Sequence, residues 1–171
     1  MTHNQQGVGL IEVMVAVLLL SVAVLGFSAL QLRAISATDE SLVRTQALSV
    51  VRGLAENMRA NVTALESYEA AINGTSTVTG IDKNSCQELT NNCTSKQLAV
   101  KEAKAAKEKL SEYGVSVSMN TCPGTADFSE IKCIIAAWGD TLPSMGTEAN
   151  MCANENGIYN RGSTCIIVEA Y

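Results

Sequence analysis

Residues 7–32 read GVGLIEVMVAVLLLSVAVLGFSALQL, and residues 13–32 form a run of 20 positions without a charged side chain. An α-helix rises about 1.5 Å per residue, so this run spans roughly 30 Å, the thickness of the hydrocarbon core of a bilayer. Glu12 stands just before the run. A carboxylate inside a membrane costs on the order of 2.5–3.5 kcal/mol at the bilayer centre and less towards the interface. The stretch therefore predicts one membrane-spanning helix whose acidic residue has a partner.

The apolar run is too long for a secretory signal peptide, whose apolar core has only about 7–15 residues. Two alternatives stay open on the residues alone: a simple membrane anchor, and a secreted protein cut by signal peptidase after residues 34–36. Small side chains within the segment suit close packing against other helices: Gly9, Ala16, Ser21, Ala23, Gly26, Ser28 and Ala29.

The apolar pattern continues beyond the run with the three- or four-residue spacing of an amphipathic helix, at Ala47, Val51, Leu54, Met58, Val62 and Leu65. No proline occurs before Pro123. We therefore predict one helix over residues 9–61, roughly 80 Å long, whose later half packs on a head. The charged side chains of this half are predicted to lie on its solvated side: Arg33, Asp39, Glu40, Arg44, Arg52, Glu56 and Arg59.

The remainder of the chain predicts a second helix followed by antiparallel strands, an α+β fold. Asn73-Gly74-Thr75 is a turn signal. Residues 95–113 form the helical candidate, with Ser95 as N-cap, Gly114 as terminator and five lysines on a solvated face. Trp138 is interpreted as a packing residue of the sheet. Apolar residues, alternating or continuous, predict strands over 115–119, 131–138 and 165–168.

All six cysteines lie in the second half of the chain: Cys86, Cys93, Cys122, Cys133, Cys152 and Cys165. An even set that follows a membrane-type segment indicates export to an oxidising compartment, where disulfides form. Fifteen pairings are formally open. The pairing of sequence neighbours, Cys86 with Cys93, Cys122 with Cys133 and Cys152 with Cys165, would close three short loops. Zinc is disfavoured, because no C-x-x-C occurs and the spacings of 7, 11 and 13 match no common zinc finger.

Charge and motif content argue against nucleic-acid binding and catalysis. The formal net charge is −5 and no cluster of Lys and Arg is interleaved with aromatic residues, so the field of the protein repels phosphate backbones. The single histidine is His3, and no nucleophile elbow, phosphate-binding loop or zinc-protease motif occurs. Asp127 and Glu130 could be imagined as an acid pair, but we interpret them as surface residues. We predict no enzyme activity, no cofactor and no metal.

The segment Gly7-Val8-Gly9-Leu10-Ile11-Glu12-Val13-Met14-Val15-Ala16 resembles the class III signal of type IV prepilins and pseudopilins. In that family a short hydrophilic leader ends in Gly, a prepilin peptidase cuts after it, the new N-terminus is N-methylated and the fifth mature residue is Glu. The resemblance implies cleavage between Gly7 and Val8, N-methylation of Val8, and a register role for Glu12, which would neutralise the N-terminal amine of a neighbouring subunit. The chain departs from the family in having Val8 in place of Phe or Met, and a leader without Lys or Arg.

A looser similarity to PilV-type minor pilins rests on residues 93–99 before a helix, on a strand ending in Ala137-Trp138, and on residues 24–26 with 30–31. It implies the pilin fold, a long N-terminal helix packed on an antiparallel sheet head with a second helix and disulfide-bounded loops. The implied parts are a leader, the transmembrane and filament-core half of the helix, its amphipathic half and a globular head, over residues 1–7, 8–32, 33–61 and 62–171.

The resemblance implies a minor pilin that takes part in initiating assembly of a type IV pilus, at or near its tip, and so supports motility, adhesion or DNA uptake. The implied partners are prepilin peptidase, other minor pilins, the major pilin, the inner-membrane assembly platform, membrane lipid and a tip adhesin, without direct contact to nucleic acid. The implied location is the inner membrane with the head in the periplasm, and then the extracellular pilus. Two alternatives stay open: a minor pseudopilin of a type II secretion system, and a secreted disulfide-rich binding domain or enzyme.

Overall fold

The computed structural model describes residues 9–82, 85–86, 92–125 and 130–170. The helices are α1 (Leu10–Ala60), α2 (Leu65–Ile72) and α3 (Ser95–Glu112), and a 3-10 turn, Val62–Ala64, precedes α2. The chain divides into two compact units, Met1–Leu42 and Val43–Tyr171, and α1 contributes to both. The strands are β1 (Val115–Thr121), β2 (Lys132–Trp138), β3 (Leu142–Met145), β4 (Met151–Ala153) and β5 (Cys165–Glu169).

Helix α1 confirms the predicted long helix to within one residue at each end. It contains no proline, and its only glycines are Gly26 and Gly53. The predicted apolar stripe is wrong at Val62, which is 43% exposed. The helix ends at Ala60 because Asn61 leaves helical dihedral angles (φ −131°, ψ 53°), so the next residues lose the helical spacing. In the second unit α1 buries Ala47, Val51, Leu54, Ala55 and Met58.

Helix α3 confirms the second predicted helix, but its N-cap is Thr94 rather than Ser95. The Thr94 hydroxyl accepts the Gln97 N–H, and the Gln97 side chain accepts the Thr94 N–H, which makes a capping box that satisfies two donors of the first turn. Gly114 ends the helix with φ 68°, a left-handed conformation that favours glycine. Helix α2 is not predicted as a separate element, because eight residues make only about two turns.

The main sheet is antiparallel, with strand order β1-β2-β5, and it confirms the three predicted strands. Strand β2 is buried along all but its last residue, because both of its faces are covered. On one face Ile134 and Ala136 join the core formed with the helices. On the other face Ile135 and Ala137 pack with the half-cystines of the C-terminal region. The continuous apolar character of β2 in the sequence follows from this double burial.

Strands β3 and β4 were not predicted, and they pair in parallel, whereas the prediction contained antiparallel strands alone. Segments of four and three residues are too short to show a period-two pattern. The pair is followed by an isolated antiparallel bridge between Ala153 and Tyr159. The small sheet lies within the C-terminal region that the sequence presents only as a cysteine-bounded loop.

The six cysteines form the disulfides Cys86–Cys93, Cys122–Cys133 and Cys152–Cys165, which is the pairing of sequence neighbours. The last of these joins β4 to β5. A cross-link stabilises a small domain chiefly by restricting its unfolded chain. The expected α+β fold, with a long N-terminal helix, an antiparallel sheet head, a second helix and three disulfides, is confirmed.

Side chains occupy both edges of the main sheet. At the β1 edge the Asn73 amide oxygen accepts the Met119 N–H at 3.0 Å, and the Asn73 amide nitrogen donates to the Met119 carbonyl at 2.7 Å. At the β5 edge the Tyr159 hydroxyl accepts the Ile167 N–H at 3.0 Å. Unpaired edge groups recruit strands from other molecules, so these contacts limit unspecific pairing of the head.

Candidate functional site: the N-terminal helix

In the first unit every residue of α1 from Leu10 to Leu42 is exposed. Seventeen of these residues are large and apolar, among them Leu25, which is 71% exposed. Soluble monomers rarely expose contiguous apolar patches of more than a few hundred Å². By length and composition α1 can cross a membrane. This surface is therefore suited to lipid or to the apolar surfaces of other helices.

Hydroxyl groups in this part of α1 are satisfied within the helix. Ser21 and Ser28 donate to the carbonyl oxygens four residues earlier, at 2.7 and 2.9 Å. Ser36 and Thr38 make the same contact. A hydroxyl without a hydrogen-bond partner is costly in hydrocarbon. These side chains consequently add little to the cost of burying the segment.

Glu12 lies in the first turn of α1, and its backbone N–H donates to the Gly9 carbonyl at 2.9 Å. The positive end of the helix dipole favours a carboxylate there by typically about 0.3–1 kcal/mol. The side chain is exposed, so a partner can reach it. Gly7 and Val8 lie outside the described residues, so the cleavage site, the methylated residue and the register role of Glu12 stay predictions.

Small side chains share the helix face that carries Glu12. At about 100° per residue, Ala16, Ala23, Gly26 and Ala34 lie within about 40° of Glu12 around the helix. A Cβ placed on Gly26 would meet no atom within 4 Å, so this face is open. Small residues let two helix backbones approach closely. The face can therefore receive another helix with Glu12 near the start of the contact.

The charged residues of α1 that were predicted to be solvated are all exposed, which confirms that interpretation. Arg59 forms an ion pair with Glu56 at 2.5 Å within the helix. Exposed pairs of this kind contribute only about 0.3–0.5 kcal/mol. The exposed charges are Arg33, Asp39, Glu40, Arg44, Arg52, Glu56 and Arg59.

The described residues contain no group of three or more His, Cys, Asp or Glu that could hold a metal ion. Glu130 is exposed, as predicted, and accepts hydrogen bonds from Lys132 at 2.6 Å and from Thr121 at 2.7 Å. Asp127 lies outside the described residues. Trp138 packs against the core formed by the helices and the sheet, which confirms its interpretation as a packing residue.

Lys132 forms an ion-pair cluster in the head that the sequence does not predict. Its side chain is 10% exposed, and its ammonium pairs with Glu69 at 2.7 Å and Glu130 at 2.6 Å. Burial disfavours the ammonium, but the hydrogen bonds to Glu130 and Glu69 outweigh that effect and raise the pKa of Lys132. The hydrogen bond from Lys132 in turn lowers the pKa of Glu130. Glu69 lies on α2, so nothing in the local sequence signals that it meets β2.

Of the five lysines of α3 that were predicted to be solvated, Lys96, Lys107 and Lys109 are exposed, whereas Lys101 and Lys104 are half-buried. Lys104 donates to the Ile81 carbonyl at 2.6 Å, and Lys107 donates to the Ile72 carbonyl at 2.7 Å. Ile72 is the last residue of α2, where carbonyl groups lack helical partners and a cation is favoured. These two lysines therefore attach the loop after α2, and the end of α2 itself, to α3.

Taken with its disulfides, the arrangement of a long apolar helix and an antiparallel sheet head is an α+β pilin fold. Residues 29–103 match the family model for Tt1218-like type IV pilins, and residues 2–28 match the prokaryotic N-terminal methylation motif. The two matches support the type IV pilin superfamily and the presence of a prepilin signal. No curated protein and no solved structure matches the chain significantly.

Proposed function

We propose that the chain is a minor pilin of a type IV pilus, made as a prepilin, cut between Gly7 and Val8 and methylated on Val8. The mature protein takes part in initiating pilus assembly, at or near the tip. Its head lies in the periplasm while the helix is in the inner membrane, and the whole chain then enters the filament. The filament supports motility, adhesion or DNA uptake, and the chain itself carries out no catalysis.

The observation that carries this proposal is the complete exposure of α1 from Leu10 to Leu42. Burying a Leu, Val, Ile, Phe or Met side chain contributes roughly 1.5–3 kcal/mol. Seventeen such side chains are exposed in this unit, so leaving them in water would be very unfavourable. A membrane covers them in the prepilin, and the helices of neighbouring subunits cover them in a filament. The same apolar surface of α1 is thus covered both in the membrane and in the filament.

Glu12 supplies the specificity that an apolar surface lacks. Apolar contacts are non-directional, so helices that associate through them alone can slide along one another. A carboxylate enclosed among apolar helices needs a partner, and cleavage after Gly7 creates an amine four residues before Glu12. Pairing of Glu12 with the amine of a neighbour relieves the burial cost at one register alone.

The proposed parts are the leader 1–7, the membrane and filament-core half-helix 8–32, the amphipathic half 33–61 and the head 62–171. The proposed partners are prepilin peptidase, membrane lipid, the assembly platform, the major pilin, other minor pilins and a tip adhesin. The similarity to PilV-type minor pilins, a head of about 110 residues and three disulfides favour a pilus over a type II secretion system.

Deletion of the gene, followed by complementation, tests the proposal. We expect fewer surface pili and reduced twitching with unchanged protein secretion. Wild-type chain should restore the pili, whereas Glu12→Gln, which removes the charge but keeps the shape, should accumulate in the membrane without restoring them. Asp39→Asn, at an exposed acid of the same helix, is the matched control and should restore them fully. Loss of secretion with normal pili would overturn the pilus assignment in favour of the pseudopilin alternative.

A further inference from the structure

A cavity of about 290 Å³ lies on the head, between the main sheet and the loop that links β4 to β5. Every residue that lines it belongs to the second unit. Its apolar lining includes Met145, Ile167, Tyr159 and the Cys122–Cys133 disulfide. Pockets for small ligands have volumes of roughly 300–1,000 Å³. The cavity therefore has room for a single side chain rather than for a large ligand.

The loop side of this cavity is held in place by hydrogen bonds. The Asn154 side-chain oxygen accepts the Asn156 N–H and the Ile158 N–H, each at 3.0 Å. The next residue, Tyr159, is attached to β5, because its hydroxyl accepts the Ile167 N–H at 3.0 Å. A site that is formed before binding avoids the entropic cost of ordering a loop around the ligand. A ligand can therefore enter without rearrangement of the loop.

Two polar side chains that line the cavity, the Asn156 amide and the Glu169 carboxylate, lack partners among the residues that the structure describes. Both residues are exposed, and Glu169 is the only charged residue among the described ones that line the cavity. A carboxylate accepts hydrogen bonds through two oxygens and an amide through one. The cavity thus offers three acceptor oxygens and one negative charge, that of Glu169.

We propose that this cavity binds an arginine side chain of a partner polypeptide. A guanidinium carries five N–H donors in a planar fork, which pairs with both oxygens of a carboxylate and leaves donors for the Asn156 amide oxygen. Arginine also stacks on aromatic rings, and Tyr159 supplies one. Its aliphatic stem suits the apolar lining at Met145 and Ile167. The formal net charge of −5 attracts a cation to the head.

The ligand is part of a polypeptide because a large apolar side chain stands beside the cavity. Ile158 directly precedes Tyr159 and is 64% exposed. A free small cation would leave Ile158 in water, whereas the residues that flank a bound arginine can cover it. Interfaces commonly combine an arginine anchor with apolar contacts of this kind. The inference concerns the head alone and goes beyond the proposed function, since the contacts of α1 do not require it.

Methyl NMR of the full-length chain in detergent micelles, labelled with 13C at its methionine methyl groups, tests the inference. The probes are Nα-acetyl-arginine methylamide and its citrulline counterpart, which has nearly the same shape without the charge. The arginine probe should shift the Met145 signal saturably, whereas the citrulline probe should not. Met58, which is fully buried in the core formed with the helices, is the internal reference and should not shift with either probe.

The dissociation constant from this titration separates recognition by Glu169 from general attraction to an acidic protein. Glu169→Gln keeps the shape of the side chain and should weaken binding of the arginine probe roughly fivefold. Glu155→Gln, at an exposed acid of the same loop that does not line the cavity, is the matched control and should bind like wild type. Equal shifts with the arginine and citrulline probes, or equal binding by wild type and Glu169→Gln, would overturn the inference.

Capped tripeptides test whether the ligand is a polypeptide. Leu-Arg-Leu should bind wild type more tightly than Gly-Arg-Gly does, and Ile158→Ser should abolish that advantage. An advantage that persists in Ile158→Ser would overturn the polypeptide assignment. Cleavage after Gly7 does not enter these titrations, so a failure of the proposed function is observed separately, by N-terminal sequencing of the same preparations.

Discussion

The Asn73 side chain replaces a missing strand at the β1 edge, so its removal should measurably loosen the head. Asn73→Ala eliminates two hydrogen bonds, of 2.7 and 3.0 Å, to the two backbone groups of Met119. A hydrogen bond contributes about 0.5–1.5 kcal/mol net, and a buried group left unpaired costs more. These contacts are part-buried, so water can replace them in part. We therefore expect a loss of about 2 kcal/mol in the free energy of unfolding.

The chain contains one tryptophan, Trp138, which lies opposite Val115 in the same β1–β2 ladder. Its fluorescence therefore reports the unfolding of the sheet whose edge Asn73 occupies. For a domain of this size, 2 kcal/mol corresponds to a decrease in Tm of roughly 8 °C. Asn57→Ala removes the same amide from an exposed position of α1 and should not lower Tm. Equal Tm values for the Asn73 and Asn57 variants would refute the edge-pairing argument.

Three further perturbations test the head. Lys132→Met should lower stability by about 2 kcal/mol at neutral pH, less than for a fully buried pair because Glu69 can rehydrate. Because the pKa of Lys132 is raised in the folded protein, its stabilising effect is complete below the unfolded pKa of about 10.4 and declines as pH rises through the folded pKa. The free energies of unfolding of wild type and variant, measured by urea titration, should therefore converge at alkaline pH. A difference that stays constant with pH would contradict this. Thr94→Ala should lower the free energy of unfolding by about 1 kcal/mol, because the N-cap hydroxyl that accepts the Gln97 N–H is lost. Calorimetry measures this change, and an unchanged Tm would exclude the capping role. Gly114→Ala should lower the free energy of unfolding by about 1–2 kcal/mol because of the positive φ alone, since no atom lies within 4 Å of the added Cβ. An unchanged free energy of unfolding would show that the turn relaxes.

The elements that the sequence predicts correctly are those whose signals are local. Helix α1 follows from an uninterrupted apolar pattern without proline, and β1 from the alternation of Val115, Val117 and Met119 with polar residues. The three disulfides join cysteines 7, 11 and 13 residues apart, so they too lie between sequence neighbours. In each case the interacting residues are close enough in sequence for their pattern to be visible.

The features that were missed depend on contacts between distant parts of the chain. Asn73 and Met119 are 46 residues apart, and Lys107 and Ile72 are 35 apart. An asparagine in a turn and a lysine on an amphipathic helix both have ordinary local explanations, so their tertiary roles leave no signal. The parts of the candidate site also differ in whether their signal is local in the sequence. The Gly7 to Glu12 motif is contiguous in the sequence and can be recognised there, whereas the partner that we propose for Glu12 belongs to another molecule.

We propose that the exposed N-terminal helix is a processed pilin helix rather than a permanent anchor or a signal peptide. Intact mass and N-terminal sequencing of the chain purified from membranes and from sheared pili distinguish these three possibilities. Processing as a pilin predicts the loss of seven residues and a methylated amine on Val8 in both fractions. An N-terminus near residue 37 or an intact Met1 would contradict it.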